Sequence, residues 1–231
     1  MQLLEELRTH LGTNKLISIA VPAVERDLMA FTKETLPRIS KVVNFINVMT
    51  YDMMIRRDDV LRHHSGILGS REALQRYIDR GAPASKLNLG LGYYAKWFLS
   101  EDCDASDVLS CKAAVMEDLD TGADLGRTGA FSWHDQVPEE LAASFAKALK
   151  DGEYFDDGSY GYWDADEKRW WSFDTTSVIQ RKIPELVKGM ELGGVFAWGL
   201  GEDAPSFAHF EATVKAMEKL SVPVADARDE L

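Results

Sequence analysis

The sequence predicts an α/β fold in which parallel strands alternate with covering helices, and three observations carry that expectation. Four runs of strand length, residues 16–21 (LISIAV), 42–49 (VVNFINVM), 87–91 (LNLGL) and 194–198 (GVFAW), are mostly apolar, as strands buried on both faces of a parallel sheet are. Stretches of helical periodicity separate them: residues 2–11, 26–39, 70–80, 176–190 and 205–220, with Ser70 and Thr176 read as N-caps and Gly12 and Gly81 as stops. The chain of 231 residues, 45% hydrophobic and 28% charged, has the composition of a folded domain with a sizeable core.

The order is a helix followed by four strand–helix units, and right-handed crossovers wind such units into a barrel-like arc. About eight units close a (β/α)8 TIM barrel, whereas four leave two open sheet edges and an uncovered inner face. The expected architecture is therefore a partial barrel, and a chain that opens on a helix before any strand is expected to lack an N-terminal half. Between the third and fourth runs, residues 96–173 exceed an ordinary loop and carry a helical stretch of their own, 139–150. They read as an inserted α+β subdomain. Turn chemistry at Asp156-Asp157-Gly158-Ser159 and Asp164-Ala165-Asp166-Glu167 alternates with Tyr160, Tyr162, Trp163, Trp170 and Trp171, the pattern of hairpin strands packed through aromatic pairs.

A formal net charge of -12 and a pI near 4.9 argue against nucleic acid or an anionic membrane surface as partner and favour a neutral ligand. No apolar run reaches the roughly 18 to 20 residues of a membrane helix, and the first residues read as an amphipathic helix rather than an export signal. The final Arg228-Asp229-Glu230-Leu231 resembles the retrieval address of lumenal proteins, which acts only behind an export signal. Cys103 and Cys111 flank a short polar segment, either as a small disulfide ring or as two thiols. His63 and His64 are adjacent, point apart on an extended chain and have no ligand-spaced partner, so a solvated loop is favoured over a metal site. No cofactor is expected.

On a parallel barrel the functional side chains gather where strands end. The second run leads into Met49-Thr50-Tyr51-Asp52-Met53, the third into Gly92-Tyr93-Tyr94-Ala95-Lys96-Trp97, and the fourth ends on Trp198. An indole face, phenol hydroxyls and a carboxylate in one cleft suit a pyranose, whose apolar face stacks while its rim takes hydrogen bonds. Taken alone, Trp198 fits a core as well as a site, whereas Asp52 directly after an apolar run favours a site. Arg56-Arg57 reads as a solvated pair or a sugar contact, and the insertion's aromatics as a small core with Trp133 placed to line the groove.

These strings resemble glycoside hydrolase family 18, the chitinase-type enzymes. Leu16-Ile17-Ser18-Ile19-Ala20-Val21-Pro22 looks like the family's fifth strand, Met49-Thr50-Tyr51-Asp52 matches the motif of its sixth, and Gly90-Leu91-Gly92-Tyr93-Tyr94-Ala95-Lys96 is similar to the seventh. Gly193-Gly194-Val195-Phe196-Ala197-Trp198 is similar to the eighth. The stretches 54–66, with Arg56-Arg57-Asp58 and His63-His64-Ser65-Gly66, and 121–126 look like fungal-type members. The resemblance implies strands five to eight of the barrel: residues 1–95 as units five to seven, 96–173 as the chitinase insertion, 174–225 as the last unit and 226–231 as a tail.

It also implies binding or retaining hydrolysis of N-acetylglucosamine polymers, with the substrate's own acetamido oxygen as nucleophile. By matching position, Tyr51 would hydrogen-bond the acetamido group, Asp52 would help hold the sugar and Trp198 would form the floor. Tyr94 and Trp97 would be wall residues, with Met49 and Arg57 completing the expected substrate-binding set. The family is usually secreted. One departure bears on mechanism: the family's acid ends an Asp-x-x-Asp-x-Asp-x-Glu strand, and no such string occurs in this sequence. Asp151-Gly152-Glu153 is a short echo of it, but follows the lysine-bearing end of a helix rather than an apolar strand. The expected partners are chitin or chitooligosaccharides, and either a missing N-terminal half or a second copy; the alternative to a hydrolase domain is a non-catalytic chitooligosaccharide-binding protein.

Overall fold

The computed structural model describes residues 2–204 and 206–221; the tail motif at 228–231 lies outside them, as does Pro205, where the last helix was expected to begin. The first sheet is built from β1 (Ser18–Pro22), β2 (Phe45–Met49), β3 (Leu87–Gly92) and β9 (Gly194–Trp198), all parallel and in the order β1-β2-β3-β9. Its helices are α1 (Gln2–Leu11), α2 (Leu36–Val42), α3 (Ile67–Asp79), α5 (Thr176–Ile183) and α6 (Ala208–Ser221). Each parallel pair is joined through a helix, as parallel strands require. Val21, Ile46, Val48, Leu87, Leu89 and Leu91 point from the sheet into one core with Leu36, Leu74, Ile179, Ile183 and Leu186 from the helical layer.

β3 is buried on both faces, as its composition suggested, but β1 and β2 are not. Along β1 and β2 burial alternates, so Val21, Ile46 and Val48 are buried while Ser18, Ala20 and Phe45 are exposed. Among the described residues β1 and β9 are edge strands and nothing covers the second face of β1 and β2, so a two-sided apolar composition meets a one-sided core.

After β3 the chain enters a second, antiparallel sheet, ordered β5-β4-β8-β7-β6. It comprises β4 (Tyr94–Leu99), β5 (Thr128–Ser132), β6 (Glu153–Tyr154), β7 (Tyr160–Asp164) and β8 (Arg169–Ser172), with α4 (Glu139–Asp151) packed on it. One face buries Phe131, Phe145, Trp171 and Phe173; the other buries Phe98, Met116 and Trp170 beneath the segment that holds the two cysteines. Across the sheet the register sets Trp97 opposite Trp171, Phe98 opposite Trp170 and Trp163 opposite Trp170, pairs that fix the alignment.

Several boundaries differ from the sequence expectation for local reasons. Residues 28–35 do not extend a helix from Arg26: a short 3-10 turn covers Glu25–Asp27, and Arg80 donates to the carbonyls of Leu28 and Phe31, holding them out of a helical ladder. Strand β2 begins at Phe45 because the helix before it runs on to Val42, and the Asn44 carboxamide oxygen then takes the Ile17 N–H and the Arg8 guanidinium. Helix α3 starts after Gly66 rather than at Ser70, whose hydroxyl instead donates back to the Gly66 carbonyl within the first turn. Thr175, one residue before the expected cap, accepts the Val178 N–H at 3.2 Å and opens α5. That helix widens at Pro184, which lacks the N–H of a regular turn, into a π-helical run, Pro184–Lys188.

Cys103 and Cys111 are joined in a disulfide. Their separation of 8 residues closes a short loop, so replacing Cys103 by serine is expected to lower the unfolding free energy by about 2.5 kcal/mol. A urea denaturation series on the serine variant measures this, and an unchanged midpoint would show that the ring adds no constraint.

Candidate functional site

The ends of β2, β3 and β9 meet the first strands of the second sheet around a cavity of about 510 Å³. Thr50 locks the end of β2 to β3: its hydroxyl donates to the Gly90 carbonyl at 2.7 Å and accepts the Gly90 N–H at 3.0 Å. This close approach requires a glycine, since a Cβ at position 90 would sit 2.6 Å from the Val48 carbonyl oxygen and 3.0 Å from the Tyr51 ring. Tyr51 and Asp52 are thereby delivered to the cavity. On the far side the Tyr93 N–H donates to the Trp198 carbonyl at 2.8 Å, tying the end of β9 to the turn between β3 and β4.

The cavity is lined by Met49, Tyr51, Asp52, Tyr94 and Trp198, together with Lys96, Ala130, Phe131, Ser132, Asp135 and Glu202. Five of the residues read from the strand ends are therefore neighbours. Tyr51 is buried edge-on against Tyr94, with ring centroids 6.1 Å apart, and against Phe196 at 6.2 Å. Trp198 is 59% exposed, which places its indole on the solvent side of the β9 end rather than in the core.

Asp52 is the electrostatic hub. Its Oδ1 accepts the Tyr94 hydroxyl at 2.9 Å and the Lys96 ammonium at 2.8 Å, while its backbone adopts a left-handed φ of 54°. The backbone is held from behind: the Asp52 N–H donates to His64 Nδ1 at 3.4 Å and the Met53 N–H to the His64 carbonyl at 3.0 Å. Burial, then the charges of Asp52 and Glu202, push the Tyr51 phenol up to about 12, and burial with Asp52 pushes Tyr94 higher still. Both phenols remain protonated donors at physiological pH.

His63 and His64 are buried rather than solvated, a correction to the loop expected at these positions. Burial drives His63 down to about 4 and His64 well below the ordinary imidazole value, with Lys96 and Lys182 adding to the latter. Folded protein therefore refuses protons that the unfolded chain accepts below about 6.5. Stability is complete above that value and is expected to fall as pH drops from about 6.5 toward 4, by about 1.4 kcal/mol per pH unit for each neutral imidazole. Urea midpoints at about pH 7 and about pH 5 test the sign; a midpoint that rises toward acid would contradict it.

Three expected contacts lie elsewhere. Trp97 projects from the opposite side of β4 to Tyr94 and Lys96, packing over Gly129 with the Arg169 guanidinium 4.7 Å from its ring. Arg57 is ion-paired with Glu117 at 2.9 Å, a carboxylate it shares with Arg56, in an adjoining depression that meets the main cavity at Lys96 and Ala130. Trp133 is core: it packs against Phe145, Phe173 and His209. Conversely, Lys96, Ser132, Asp135 and Glu202 were not singled out from sequence. Lys96 alternates with Tyr94 on one strand face, a signal that finds it once β4 is known to start at Tyr94; Glu202 and Asp135 sit on turns that carry no such periodicity.

Residues 1–203 match the model of the family Glycosyl hydrolases family 18. The chain belongs to that family. Chitinase 1 of Aphanocladium album is 27% identical over 198 residues, covering 81% of this chain and 42% of the relative. Endochitinase 1 of Metarhizium anisopliae is 28% identical over 199 residues, covering 81% and 41%. The chain thus spans less than half the length of these family 18 relatives. A solved chitinase from Rhizomucor miehei superposes with a TM-score of 0.73 at 18% identity, over 94% of this chain and 65% of that one. Human YKL-39, described as a pseudo-chitinase with retained chitooligosaccharide binding properties, superposes at 0.68 with 15% identity, over 94% and 63%. The α/β fold of this family 18 domain is therefore similar to that of the chitinase-type TIM barrel.

Proposed function

We propose that this family 18 domain holds an N-acetylglucosamine polymer in the Tyr51–Asp52–Trp198 cleft, and that it does so as strands five to eight of the barrel. Residues 1–95 supply units five to seven, 96–173 the insertion that walls the cleft, and 174–225 the last unit. The observation that carries the reading is the convergence of Tyr51, Asp52, Tyr94 and an exposed Trp198 on one cavity from three strand ends.

In this reading the pyranose stacks its apolar face on the Trp198 indole, which is already solvent-facing and needs no rearrangement to receive it. Tyr51 stays protonated and donates to the acetamido oxygen, holding it in place as the internal nucleophile. Asp52, with one oxygen satisfied by Tyr94 and Lys96, keeps its second oxygen for the sugar. Met49 closes the apolar end of the cleft.

Cleavage needs a proton donor at the leaving oxygen, a step worth roughly 10²- to 10⁴-fold. The sequence contains no Asp-x-x-Asp-x-Asp-x-Glu string, so the reading for this chain is sugar binding, with hydrolysis dependent on an acid supplied by further family 18 sequence. That YKL-39 is described as binding without being a chitinase supports separating the two properties. Calorimetry with chitotriose, paired with release of fluorophore from a chitobioside, tests the proposal. Saturable heat without turnover is the expected result; turnover at an enzyme-like rate contradicts the division, and absence of heat at millimolar sugar contradicts the cleft.

A further inference from the structure

A second cavity, of about 450 Å³, shares no lining residue with the sugar cleft. It opens between the loop after β1, the segment that leads from β2 into the first turns of α3, and the turn that joins β6 to β7. Most of its ionised side chains are paired. Arg26 holds Asp58 at 2.6 Å, and Arg76 reaches Glu25 at 3.6 Å and Glu72 at 3.4 Å. Two charges remain. The Arg62 guanidinium enters no ion pair among the described residues; it adds its field to Asp58, whose oxygens are already held by Arg26 and the Ile55 N–H. The Asp157 carboxylate accepts the Ser159 N–H at 2.9 Å and likewise enters no ion pair among the described residues.

His63 independently marks this volume as a ligand site. It lines the cavity, is 8% exposed, and its Nε2 is buried without a hydrogen-bond partner. Its Nδ1 meets the Ser172 hydroxyl at 3.3 Å. That hydroxyl accepts the His64 N–H at 3.1 Å and turns its own proton toward the ring, which leaves Nε2 as the protonated and unsatisfied nitrogen. A buried donor in that condition gains from a ligand that accepts from it. The 13-residue helix α3 adds to this, since it begins behind Gly66 with no side-chain cap. Its Leu68 N–H donates to the Asp157 carbonyl at 2.9 Å, whereas the Gly69 N–H, in the cavity wall, has no acceptor among the described residues. The start of a helix favours a negative group.

We infer that this cavity binds a small zwitterion, an α-amino acid with an apolar side chain. Its carboxylate lies toward Arg62, His63 and the start of α3, and its ammonium toward Asp157. A lone cation and a lone anion that share a cavity without pairing with each other are complemented by a ligand of both signs. A simple anion would meet Asp157 uncompensated, and a simple cation would meet Arg62 in the same way. Met53, Leu68 and Leu109 supply the apolar shelf for the side chain. A saccharide is the poorer fit, because no phenyl, phenol or indole ring lines this cavity to stack a pyranose face.

The test is calorimetric titration of the 231-residue chain at about pH 7 with three probes: L-leucine, N-acetyl-L-leucine, which lacks the ammonium, and L-leucinamide, which lacks the carboxylate. L-leucine is expected to bind with a Kd of about 0.1–1 mM, and each blocked form about tenfold more weakly. Two variants separate the charges. Arg62→Met is expected to weaken L-leucine about tenfold and leave L-leucinamide unchanged, and Asp157→Asn to weaken L-leucine about tenfold and leave N-acetyl-L-leucine unchanged. Urea midpoints verify that both variants fold, and the three-probe comparison on the native chain decides the matter even where one does not. Equal binding of the three probes, no heat with L-leucine at about 10 mM, or folded variants that bind L-leucine like the native chain would each overturn the inference. Displacement of L-leucine by chitotriose would overturn it as well and assign the cavity to sugar.

Discussion

Replacing Asp174 by alanine is expected to lower the unfolding free energy by about 3–5 kcal/mol. The Asp174 and Lys182 side chains are 1% and 0% exposed, and their charged atoms are 2.5 Å apart. Ser65 donates its hydroxyl to the other carboxylate oxygen at 2.7 Å. The trio joins α5 to the exit of the second sheet and to the segment that carries His63 and His64, behind the cleft. Alanine at 174 leaves an ammonium in the core with no counter-charge and a serine hydroxyl with no acceptor, and neither group can reach water without opening the structure. The companion Asp174→Ala/Lys182→Met removes the stranded charge and is expected to recover at least half of the loss. Urea denaturation of both variants reads this directly; a single variant within about 1 kcal/mol of the native chain would show that the pair is solvated.

Trp198→Ala is expected to weaken chitotriose binding by about 30-fold, about 2 kcal/mol, while leaving the urea midpoint nearly unchanged. The two halves of this expectation come from one fact: Trp198 is 59% exposed at the end of β9, so less than half of its surface is buried on folding and the rest is available to a ligand. Trp170 and Trp171 are the opposite case. Both are fully buried, and their indole N–H groups donate to the Arg62 carbonyl and the Ser144 hydroxyl, so alanine at either position is expected to destabilise the second sheet by about 3–5 kcal/mol rather than report on sugar. A Trp198→Ala chain that binds chitotriose like the native one would place the sugar elsewhere, or nowhere, in the proposed cleft.

Parts of this molecule are written plainly in its sequence. The run at 194–198 is bounded by Gly193-Gly194 and Gly199, and β9 occupies those residues; α1 likewise has the bounds that its periodicity and Gly12 predict. Strand-end reasoning brought forward Tyr51, Asp52 and Trp198, because apolar runs that stop on a phenol, a carboxylate or an indole present those groups at the rim of a parallel sheet. What the sequence concealed depends on contacts between distant residues. Trp97 does not reach the cavity because successive residues of β4 face opposite sides: Tyr94 and Lys96 line the cavity, and Trp97 packs against the core of the second sheet. The two histidines looked like a solvated loop because nothing local announces that Ser172, 108 and 109 residues away, receives the His64 N–H and meets the His63 ring. The expected helix over 26–39 failed for the same reason, since the Arg80 side chain that holds its carbonyls comes from another element.

The most direct measurement of the sugar-cleft account is a nitrogen–proton correlation spectrum of the indole region, recorded while chitotriose is added. The chain has 6 tryptophans, so the spectrum is simple enough to assign by substitution. The account predicts that the Trp198 indole resonance moves progressively and saturates while those of Trp170 and Trp171 stay in place. Stationary Trp198 signal at saturating sugar, or shifts confined to the buried indoles, would contradict it.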